Sequence, residues 1–325
     1  MPENVLPNLF RIEAPLPNNP LRAINAYVVL SDERNLVVDT GMNQPECREA
    51  LEKGLAALAV DRTRTDFFIT HFHADHLGLT SAFATDTSRV YFNEPEARWT
   101  RRFKAADFIA GMLRRARTCG FPDDRLAHAL QSHPGIKYGP LQYPEFTVLR
   151  DGDVLTVGDY RFRCIETPGH SPGHLCLYEP DQRLLFSGDH VLGDITPNIS
   201  GMLDDTDMLA LYMASLDKIY DLDVTMTLPG HRRAIRDLQR RIRELKAHHR
   251  EREQEVAGIL KTGPVTAYET AARMTWDIAA DSWEQFPIMQ QWFAVGEAMA
   301  HLIHLQQKGE AQKTTVEGAV VYTAV

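Results

Sequence analysis

The sequence predicts a layered fold of the α+β class, followed by a smaller and mostly helical region. Strand-like runs alternate with segments of helical spacing through the first part of the chain, whereas the part after His231 is mainly helical. The length of 325 residues also exceeds that of a typical single domain, roughly 100–200 residues. We therefore expect two domains, residues 1–238 and residues 239–325.

The first elements predict a strand, helix, strand succession. Residues 24–41 (INAYVVLSDERNLVVDTG) contain two β-rich runs joined by a polar turn at Ser31–Asn35, as in a hairpin. Pro45–Ala59 carries apolar residues at helical spacing, and Phe67–Thr70 is a short apolar strand. Both element types thus contribute to the first domain.

The middle and the end of the chain continue the alternation. Glu94–Glu145 begins with helical spacing and many Arg residues, and its second part contains several Pro and Gly. This pattern predicts a helical insertion that covers the functional site of the first domain. The later predicted elements are strands at 146–149, 160–165, 175–178 and 184–186, helices at 236–260 and 292–307, and a small hairpin at 314–324.

Composition narrows the class of protein. The formal net charge of −9 argues against a surface built to bind nucleic acid or anionic lipid. The four cysteines contain no C-x-x-C pair, so reduced thiols are expected rather than a disulfide framework or a cysteine zinc site. The start of the chain has no signal-like segment, and no apolar run reaches about 18 residues. We expect a cytoplasmic protein without a membrane partner.

One short motif concentrates residues that bind metals. In His71-Phe72-His73-Ala74-Asp75-His76, two imidazoles at i and i+2 on an extended backbone can point the same way. Asp75 and His76 begin a Gly-containing helix, so their side chains can converge on a second position. Zinc prefers imidazole nitrogen and carboxylate oxygen in a small shell. Taken alone, the cluster could also be a surface tract.

Three later segments of the sequence favour a metal site over a surface tract. His170, Asp189 and His231 each follow a predicted strand or an apolar run, and a Gly stands immediately before each of them. A Gly permits backbone turns that other residues resist, which can aim a ligand at the end of a sheet.

These motifs, in this order, resemble the metallo-β-lactamase superfamily over roughly Pro7 to Leu238. The resemblance implies a four-layer αββα sandwich with the metal site at one edge. It also implies two sets of ligands and one shared ligand: His71, His73 and His170 for a first metal, Asp75, His76 and His231 for a second metal, and Asp189 as the bridge.

The segment Thr167-Pro168-Gly169-His170-Ser171-Pro172-Gly173-His174 looks most like the glyoxalase II-like branch, which cleaves thioesters. The expected function is a hydrolase that uses a metal-bridged hydroxide to cleave a thioester, lactone or ester, with Asp75 and Asp189 as catalytic residues. The expected cofactors are two divalent ions, with zinc preferred and iron or manganese left open.

Several residues around the motifs have two interpretations. Asp39 either orients a ligating imidazole or caps a turn. His174 and His190 are expected to be hydrogen-bonded structural histidines rather than ligands. The histidines without a motif are expected to be surface or packing residues: His128, His133, His248, His249, His301 and His304.

The insertion carries more basic than acidic residues. Nine basic residues stand against six acidic ones: Arg98, Arg101, Arg102, Lys104, Arg114, Arg115, Arg117, Arg125 and Lys137. They either receive an anionic carrier such as coenzyme A or form a solvated helix face, and the second interpretation is preferred. Tyr138 and Tyr143 are further candidates for lining the pocket. The expected partner is a small-molecule substrate, anionic or carrier-linked.

The C-terminal part resembles the winged-helix domain appended to some superfamily members. Its 13 Lys and Arg against 12 Asp and Glu over residues 232–325 give no positive bias for nucleic acid, so a packing, dimer or lid role is preferred and a homodimer stays open. Three alternatives remain: a nuclease or phosphodiesterase, a persulfide dioxygenase with one iron, and a metal-stabilised binding scaffold.

Overall fold

The protein is described by a computed structural model over residues 1–103 and 106–325. Its contacts group the chain into two compact units. The first contains residues 1–101, 137–197 and 215–242, and the second contains residues 102–136, 198–214 and 243–325. Lys104, one of the basic residues named above, lies outside the described residues. The domain boundary expected at residue 238 stays a prediction.

The α-helices of the described residues vary widely in length. They are α1 (Pro45–Ala57), α2 (Ala74–Leu77), α3 (Thr80–Phe83), α4 (Glu94–Phe103), α5 (Ala106–Thr118), α6 (Asp123–Ser132), α7 (Pro134–Lys137), α8 (Met208–Tyr220), α9 (Leu238–Leu260), α10 (Ala267–Arg273) and α11 (Ile288–Gln307). Within this described part of the chain, no helix is both long and apolar enough to cross a membrane.

The first unit is built on a seven-stranded sheet whose strands follow chain order. They are β1 (Glu3–Leu6), β2 (Leu9–Pro15), β3 (Ala23–Val29), β4 (Asn35–Val38), β5 (Thr65–Phe68), β6 (Val90–Asn93) and β7 (Phe146–Leu149). The strands β1 to β4 are antiparallel neighbours, and β4 to β7 are parallel. Helix α1 buries Leu51 and Leu55 in an apolar core with Val37 and Phe67 of this sheet.

A second sheet faces the other side of the first. Its strands, in the order of the sheet, are β12 (Met226–Pro229), β11 (Leu184–Gly188), β10 (Leu175–Glu179), β9 (Tyr160–Glu166) and β8 (Val154–Val157). Tyr27 and Phe68 of the first sheet share a buried core with Phe162 and Phe186 of the second, and the rings of Tyr27 and Phe186 are 5.2 Å apart. Alternate residues of the first sheet thus serve two cores, as the period of a strand requires.

The second unit has its own core. Apolar side chains of α5, α6 and α11, including Met112, Leu126 and Trp292, are buried together with Val256 of α9. Strands β13 (Ala311–Val316) and β14 (Ala319–Ala324) form an antiparallel hairpin, and a bridge joins Val265 to Tyr322. Helices α5 and α6 therefore bury apolar side chains such as Met112 and Leu126 in the same core as the C-terminal helices.

The predicted fold is confirmed in its coarser form, a mixed α/β fold with sheets and helices. The predicted hairpin at 24–41 corresponds to β3 and β4, and Phe146–Leu149 is a strand with the predicted bounds. Several elements were not predicted from the sequence, among them β1, β2, β6, β8, α8 and α10. The four cysteines are free and buried.

Candidate metal centre

Strand ends deliver the seven predicted ligand residues to one place. His71 and His73 follow β5, His170 follows β9, Asp189 follows β11, and His231 follows β12. Asp75 and His76 lie in α2, as expected for a helix that starts within the motif. The structure brings all seven together in three overlapping groups whose potential ligand atoms lie within 4.8 Å: His71, His73 and His170; His71, His76 and Asp189; Asp75, His76 and His231.

Three imidazoles form the first group. Nε2 of His170 lies 3.2 Å from Nε2 of His71 and 2.9 Å from Nδ1 of His73, and the latter two atoms are 2.9 Å apart. His71 is fully buried, whereas His73 and His170 are partly exposed. Three ring nitrogens thus point at one another from two different loops.

The two carboxylates lie among the imidazoles of the other two groups. Nε2 of His231 lies 3.3 Å from Oδ2 of Asp75 and 3.4 Å from Oδ2 of Asp189. Oδ1 of Asp189 is 3.4 Å from Nε2 of His76, and its Oδ2 is 3.7 Å from Nε2 of His170. Asp189 therefore touches imidazoles of both groups, which is the position that a shared ligand requires.

The Nδ1 atoms of His231 and His76 have partners outside the centre, and these contacts determine which ring atom faces it. Nδ1 of His231 lies 2.7 Å from the Ala23 carbonyl oxygen, and Nδ1 of His76 lies 2.7 Å from Oδ2 of Asp39. Because a carbonyl and a carboxylate can only accept, both Nδ1 atoms donate, and Nε2 is the ring atom of each that is left to face the centre. Asp39 thus orients a predicted ligand.

Thr70 extends this arrangement to His71. Its hydroxyl lies 2.9 Å from Oδ2 of Asp39 and 3.0 Å from Nδ1 of His71, while its amide donates to Oδ1 of Asp39 at 2.9 Å. One carboxylate therefore orients His76 directly and His71 through a hydroxyl. The φ of Asp39 is +59°, a conformation that Asp tolerates better than most residues.

Three buried polar atoms indicate that the centre can accept a metal. Nε2 of His76, Nε2 of His231 and Oδ1 of Asp189 have no hydrogen-bond partner among the described residues. A buried polar atom without a partner is destabilising, and in functional sites it indicates a missing ion or water. The imidazole and carboxylate donors are the types that zinc, iron and manganese accept. The residues present can therefore hold metal.

Electrostatics differ between the two groups. Burial and then the neighbouring His170 lower the pKa of His73 to about 3, so its ring is neutral and its lone pair is available. For His231, burial acts to lower the pKa, but the charges of Asp189 and Asp75 outweigh it and raise it to about 10. For Asp75, burial opposes ionisation, yet the neighbouring His231 lowers its pKa to about 2. The carboxylates are thus ionised at neutral pH.

The three glycines before the later ligands act in two ways. Gly169 and Gly188 have φ of 141° and 46°, so a side chain would strain the backbone there, as the sequence suggested. Gly230 has no such angle. A Cβ on Gly230 would instead lie 2.6 Å from Oδ1 of Asp189 and 2.7 Å from Cε1 of His76, so space in the centre requires this Gly.

Strand β3 supports the loop of His231. Nδ2 of Asn25 donates to the carbonyls of Pro229 and Arg232 at 3.0 and 2.8 Å, and the Tyr27 hydroxyl donates to Pro229 at 2.8 Å. These contacts link residues more than 200 positions apart in sequence. The loop that carries His231 is therefore fixed by a strand from the start of the chain.

The two candidate structural histidines are both fully buried. Nδ1 of His174 is 2.9 Å from the Thr167 hydroxyl, and its Nε2 accepts the amide of Asp189 at 3.2 Å. His174 therefore positions Asp189 and belongs to none of the three groups. Burial lowers the pKa of His190 to about 3, so its ring is neutral.

Sequence reasoning missed three supporting residues. Thr70 and Asn25 act through the contacts above. Glu96 is completely buried in the first turn of α4 and accepts hydrogen bonds from the loops that follow His71 and His170. Two acidic residues in a first helical turn are common, so the pattern at Glu94 and Glu96 carried no signal of this role.

Several predicted substrate residues have structural partners. Arg115 donates to the Gly201 carbonyl at 2.7 Å and pairs with Asp205 at 3.0 Å, and Arg117 pairs with Asp123 at 2.6 Å. Tyr138 and Tyr143 pack against the apolar core under α1. Their role in binding a carrier stays a prediction, as does the expectation that the insertion covers the site.

Comparison with family models matches two segments of the chain. Residues 19–231 match the model described as Metallo-beta-lactamase superfamily. Residues 254–325 match the model described as Metallo-beta-lactamase-like, C-terminal domain. The first segment contains every predicted ligand residue, and the second contains α10, α11 and the hairpin.

Curated relatives are distant and longer than this chain. The beta-lactamase-like protein 2 homolog of Caenorhabditis elegans is 28% identical over 242 residues, which are 74% of this chain and 66% of that protein. The atrochrysone carboxyl ACP thioesterase of Aspergillus fumigatus is 25% identical over 258 residues, 79% of this chain and 49% of that protein. The chain thus matches less than two thirds of each of these two proteins.

Two solved structures resemble nearly the whole chain. A metallo-beta-lactamase family protein from Thermus thermophilus has a TM-score of 0.83 at 28% identity, with 98% of this chain and 99% of that chain covered. A beta-lactamase domain protein from Burkholderia ambifaria has a TM-score of 0.84 at 27% identity and covers 100% and 94%. The folds of both units therefore recur in solved proteins.

Proposed function

The chain belongs to the metallo-beta-lactamase superfamily, and from this premise we propose that it is a metal-dependent hydrolase that cleaves a thioester. One observation carries the proposal. Seven imidazole and carboxylate side chains converge in three overlapping groups, and three of their inward-facing atoms lack a hydrogen-bond partner within the described part of the chain. A stable fold has no need of so many buried polar atoms without partners, whereas a metal centre does.

In this proposal two divalent ions occupy the centre, and zinc is the ion that the donor types favour. His71, His73 and His170 hold the first ion, Asp75, His76 and His231 hold the second, and Asp189 lies between the two groups. Bound divalent ions lower the pKa of water to about 7 and polarise a carbonyl, which is the chemistry that hydrolysis needs.

The protein residues have separate tasks. Asp75 keeps 7% of its surface exposed while His76 and His231 are fully buried, so its carboxylate is the part of this group that a substrate or water can reach. Its lowered pKa, about 2, keeps it ionised, so it can accept a hydrogen bond from a water molecule and orient it. The backbone amide of Asp189 donates to Nε2 of His174 at 3.2 Å. This contact fixes Asp189 between the two ligand groups.

The choice of substrate draws on relatives. Two proteins named atrochrysone carboxyl ACP thioesterase, from Aspergillus fumigatus and Emericella nidulans, are each 25% identical to this chain over more than three quarters of its length. Their name implies an acyl group carried as a thioester on a carrier protein. We therefore propose a carrier-linked acyl thioester as the substrate class, with lactones and simple esters as weaker substrates.

We also propose that the C-terminal segment is a winged-helix-like domain. Helices α9, α10 and α11 precede the β13–β14 hairpin, in the order that such a domain requires. Helix α10 begins with a capping box in which Thr266 and Glu269 bond reciprocally. The near balance of basic and acidic residues in this segment supports a packing role rather than nucleic-acid binding.

A substrate panel tests the proposal. Metal-loaded protein is assayed on an acyl thioester, a lactone, an aryl ester, a phosphodiester and a glutathione persulfide, with Asp75→Asn as the inactive reference and His128→Gln as the matched control. Preferential thiol release that is lost in Asp75→Asn and kept in His128→Gln supports a thioesterase. Preferential cleavage of the phosphodiester, or oxygen consumption with the persulfide, refutes it.

A further inference from the structure

We propose that Glu96 is a positioning residue that joins the two loops of the three-imidazole group and so preforms that metal site. The inference rests on the proposed function, because it assumes that His71, His73 and His170 bind a metal. Glu96 contributes no ligand atom to any of the three groups. Its effect on a metal is therefore indirect.

The carboxylate of Glu96 contacts both loops at once. Oε2 accepts the amide of Phe72 at 2.7 Å, and Phe72 lies between two of the imidazoles in sequence. Oε1 accepts the Ser171 hydroxyl at 2.7 Å and the Gly173 amide at 2.6 Å, and Ser171 directly follows the third imidazole. One side chain thus ties the backbone of His71–His73 to that of His170–Gly173.

The environment makes this link rigid. Glu96 has no exposed surface, and burial raises the pKa of its carboxyl to about 7 in spite of the three hydrogen bonds. A buried carboxylate without its hydrogen bonds is strongly destabilising, so the bonds hold the side chain and both loops together.

The residues before Glu96 hold the second loop from another side. Nδ2 of Asn93 donates to the Gly173 carbonyl at 2.9 Å. A Cβ on Gly173 would lie 2.7 Å from Cβ of Pro95, so the loop packs directly against the start of α4. The junction of β6 and α4 therefore fixes residues 170–173 by a carboxylate, an amide and close packing.

The two metal groups have different supports. Asp39 and the Ala23 carbonyl orient His76 and His231, and Asp39 also reaches His71 through Thr70, but neither Asp39 nor the Ala23 carbonyl hydrogen-bonds to Glu96, which contacts only the loops of the three-imidazole group. Loss of the Glu96 carboxylate should therefore loosen the three-imidazole group and spare the group of Asp75, His76 and His231. A purely structural carboxylate would instead affect both groups or neither.

Cobalt titration of the metal-stripped full chain tests this. Calorimetry gives the affinity of each binding step, and visible absorption reports the ligand geometry. In Glu96→Gln we expect one step to weaken about 10–100-fold and the other to stay unchanged. The weakened step should be the one lost in His170→Gln. Glu94→Gln, two positions earlier on the same helix, is the matched control and should leave both steps unchanged.

Three results overturn the inference. Unchanged cobalt affinities and spectrum in Glu96→Gln do so while leaving the proposed function intact, as does equal weakening of both steps. A wild-type chain that binds no cobalt overturns the proposed function together with the inference. If Glu96→Gln does not fold, Glu96→Asp is used, which keeps the charge but cannot span both loops, and the same weakening of one step is expected.

Discussion

The carboxylate of Asp39 lies 2.7 Å from Nδ1 of His76, although 37 positions separate them in sequence. The imidazole therefore donates from Nδ1 and turns Nε2 toward Asp189, 3.4 Å away. Burial acts to lower the pKa of His76, but Asp39 and Asp189 outweigh it and raise that pKa well above its usual value. The orientation of a predicted metal ligand is thus set by the end of strand β4.

Replacement of Asp39 should weaken metal binding without unfolding the protein. Asn tolerates the left-handed backbone at this position, but its amide group supplies only one acceptor for His76 and Thr70. In Asp39→Asn we expect metal affinity and turnover to fall about 10–100-fold, measured by calorimetry and a hydrolysis assay. Asp66→Asn is the control, because Asp66 is also buried but pairs with Arg34 and Arg89. Equal effects of both variants on metal affinity would contradict this role.

Two glycines should respond oppositely to alanine. Gly230→Ala places a methyl group 2.6 Å from Oδ1 of Asp189, so we expect loss of metal from the centre. Gly258 lies in α9 with open space around its Cβ position. Gly258→Ala should raise the free energy of unfolding by about 0.5–1 kcal/mol and leave the metal content unchanged. Denaturation and elemental analysis measure both effects, and full metal content in Gly230→Ala would refute the steric argument.

Removal of metal should lower the melting temperature. Ions that bind only the folded protein stabilise it, by about 2.7 kcal/mol at a free concentration one hundred times Kd. After dialysis against a chelator, we expect the melting temperature to fall by several degrees and to recover with zinc but not with magnesium, which prefers oxygen ligands. An unchanged melting temperature throughout the cycle would be inconsistent with a metal centre in the folded protein.

An ion pair in the second unit predicts a pH dependence of stability. Nδ1 of His304 lies 2.9 Å from Oδ2 of Asp207. The hydrogen bond to Asp207 raises the pKa of His304; for Asp207, burial acts to raise the pKa, but His304 lowers it. The contribution of His304 is full below its unfolded pKa of about 6.5 and is lost as pH rises through its folded pKa. That of Asp207 is present above about 3.9 and is lost as pH falls.

The pair should therefore stabilise the protein most in mildly acidic solution. In His304→Gln we expect a loss of about 0.2–1 kcal/mol near pH 5.5, and a smaller loss in alkaline solution above the raised pKa of His304, where the wild-type histidine is neutral. Thermal unfolding of both proteins at the two pH values measures the difference. The interpretation fails if the loss is the same at both.

Local chemistry explains which parts of the centre the sequence revealed. Histidine and aspartate beside Gly, at strand ends, indicate ligands without any knowledge of the fold, and the structure brings those seven residues together. Asp39 was recognisable as a polar residue at a strand end, though turn capping explained it equally well. Glu96 and Asn25 gave no signal, because their partners lie 24 to 207 positions away and only the tertiary fold brings them close.

The helices and strands, too, were predicted where a local sequence pattern reveals them and missed where the tertiary fold determines them. Long amphipathic helices such as α9 and α11 and alternating strands such as β9 were visible as periodicity. Short strands gave an uneven signal: β7 was predicted, whereas β6, also of four residues, was not, because its place is fixed by its neighbours β5 and β7 in the sheet. The grouping of α5 and α6 with the C-terminal helices depends on which core their apolar side chains enter, and a local pattern does not specify this.

Thiol release from an acyl thioester, measured while zinc is added stepwise to the metal-stripped protein, tests the central claim most directly. Turnover should be absent without metal, rise with each addition and level off at about two ions per chain, with Asp75→Asn inactive at every point. Turnover that is independent of zinc, or the absence of thioester cleavage at full loading with zinc, iron and manganese in turn, would contradict the account.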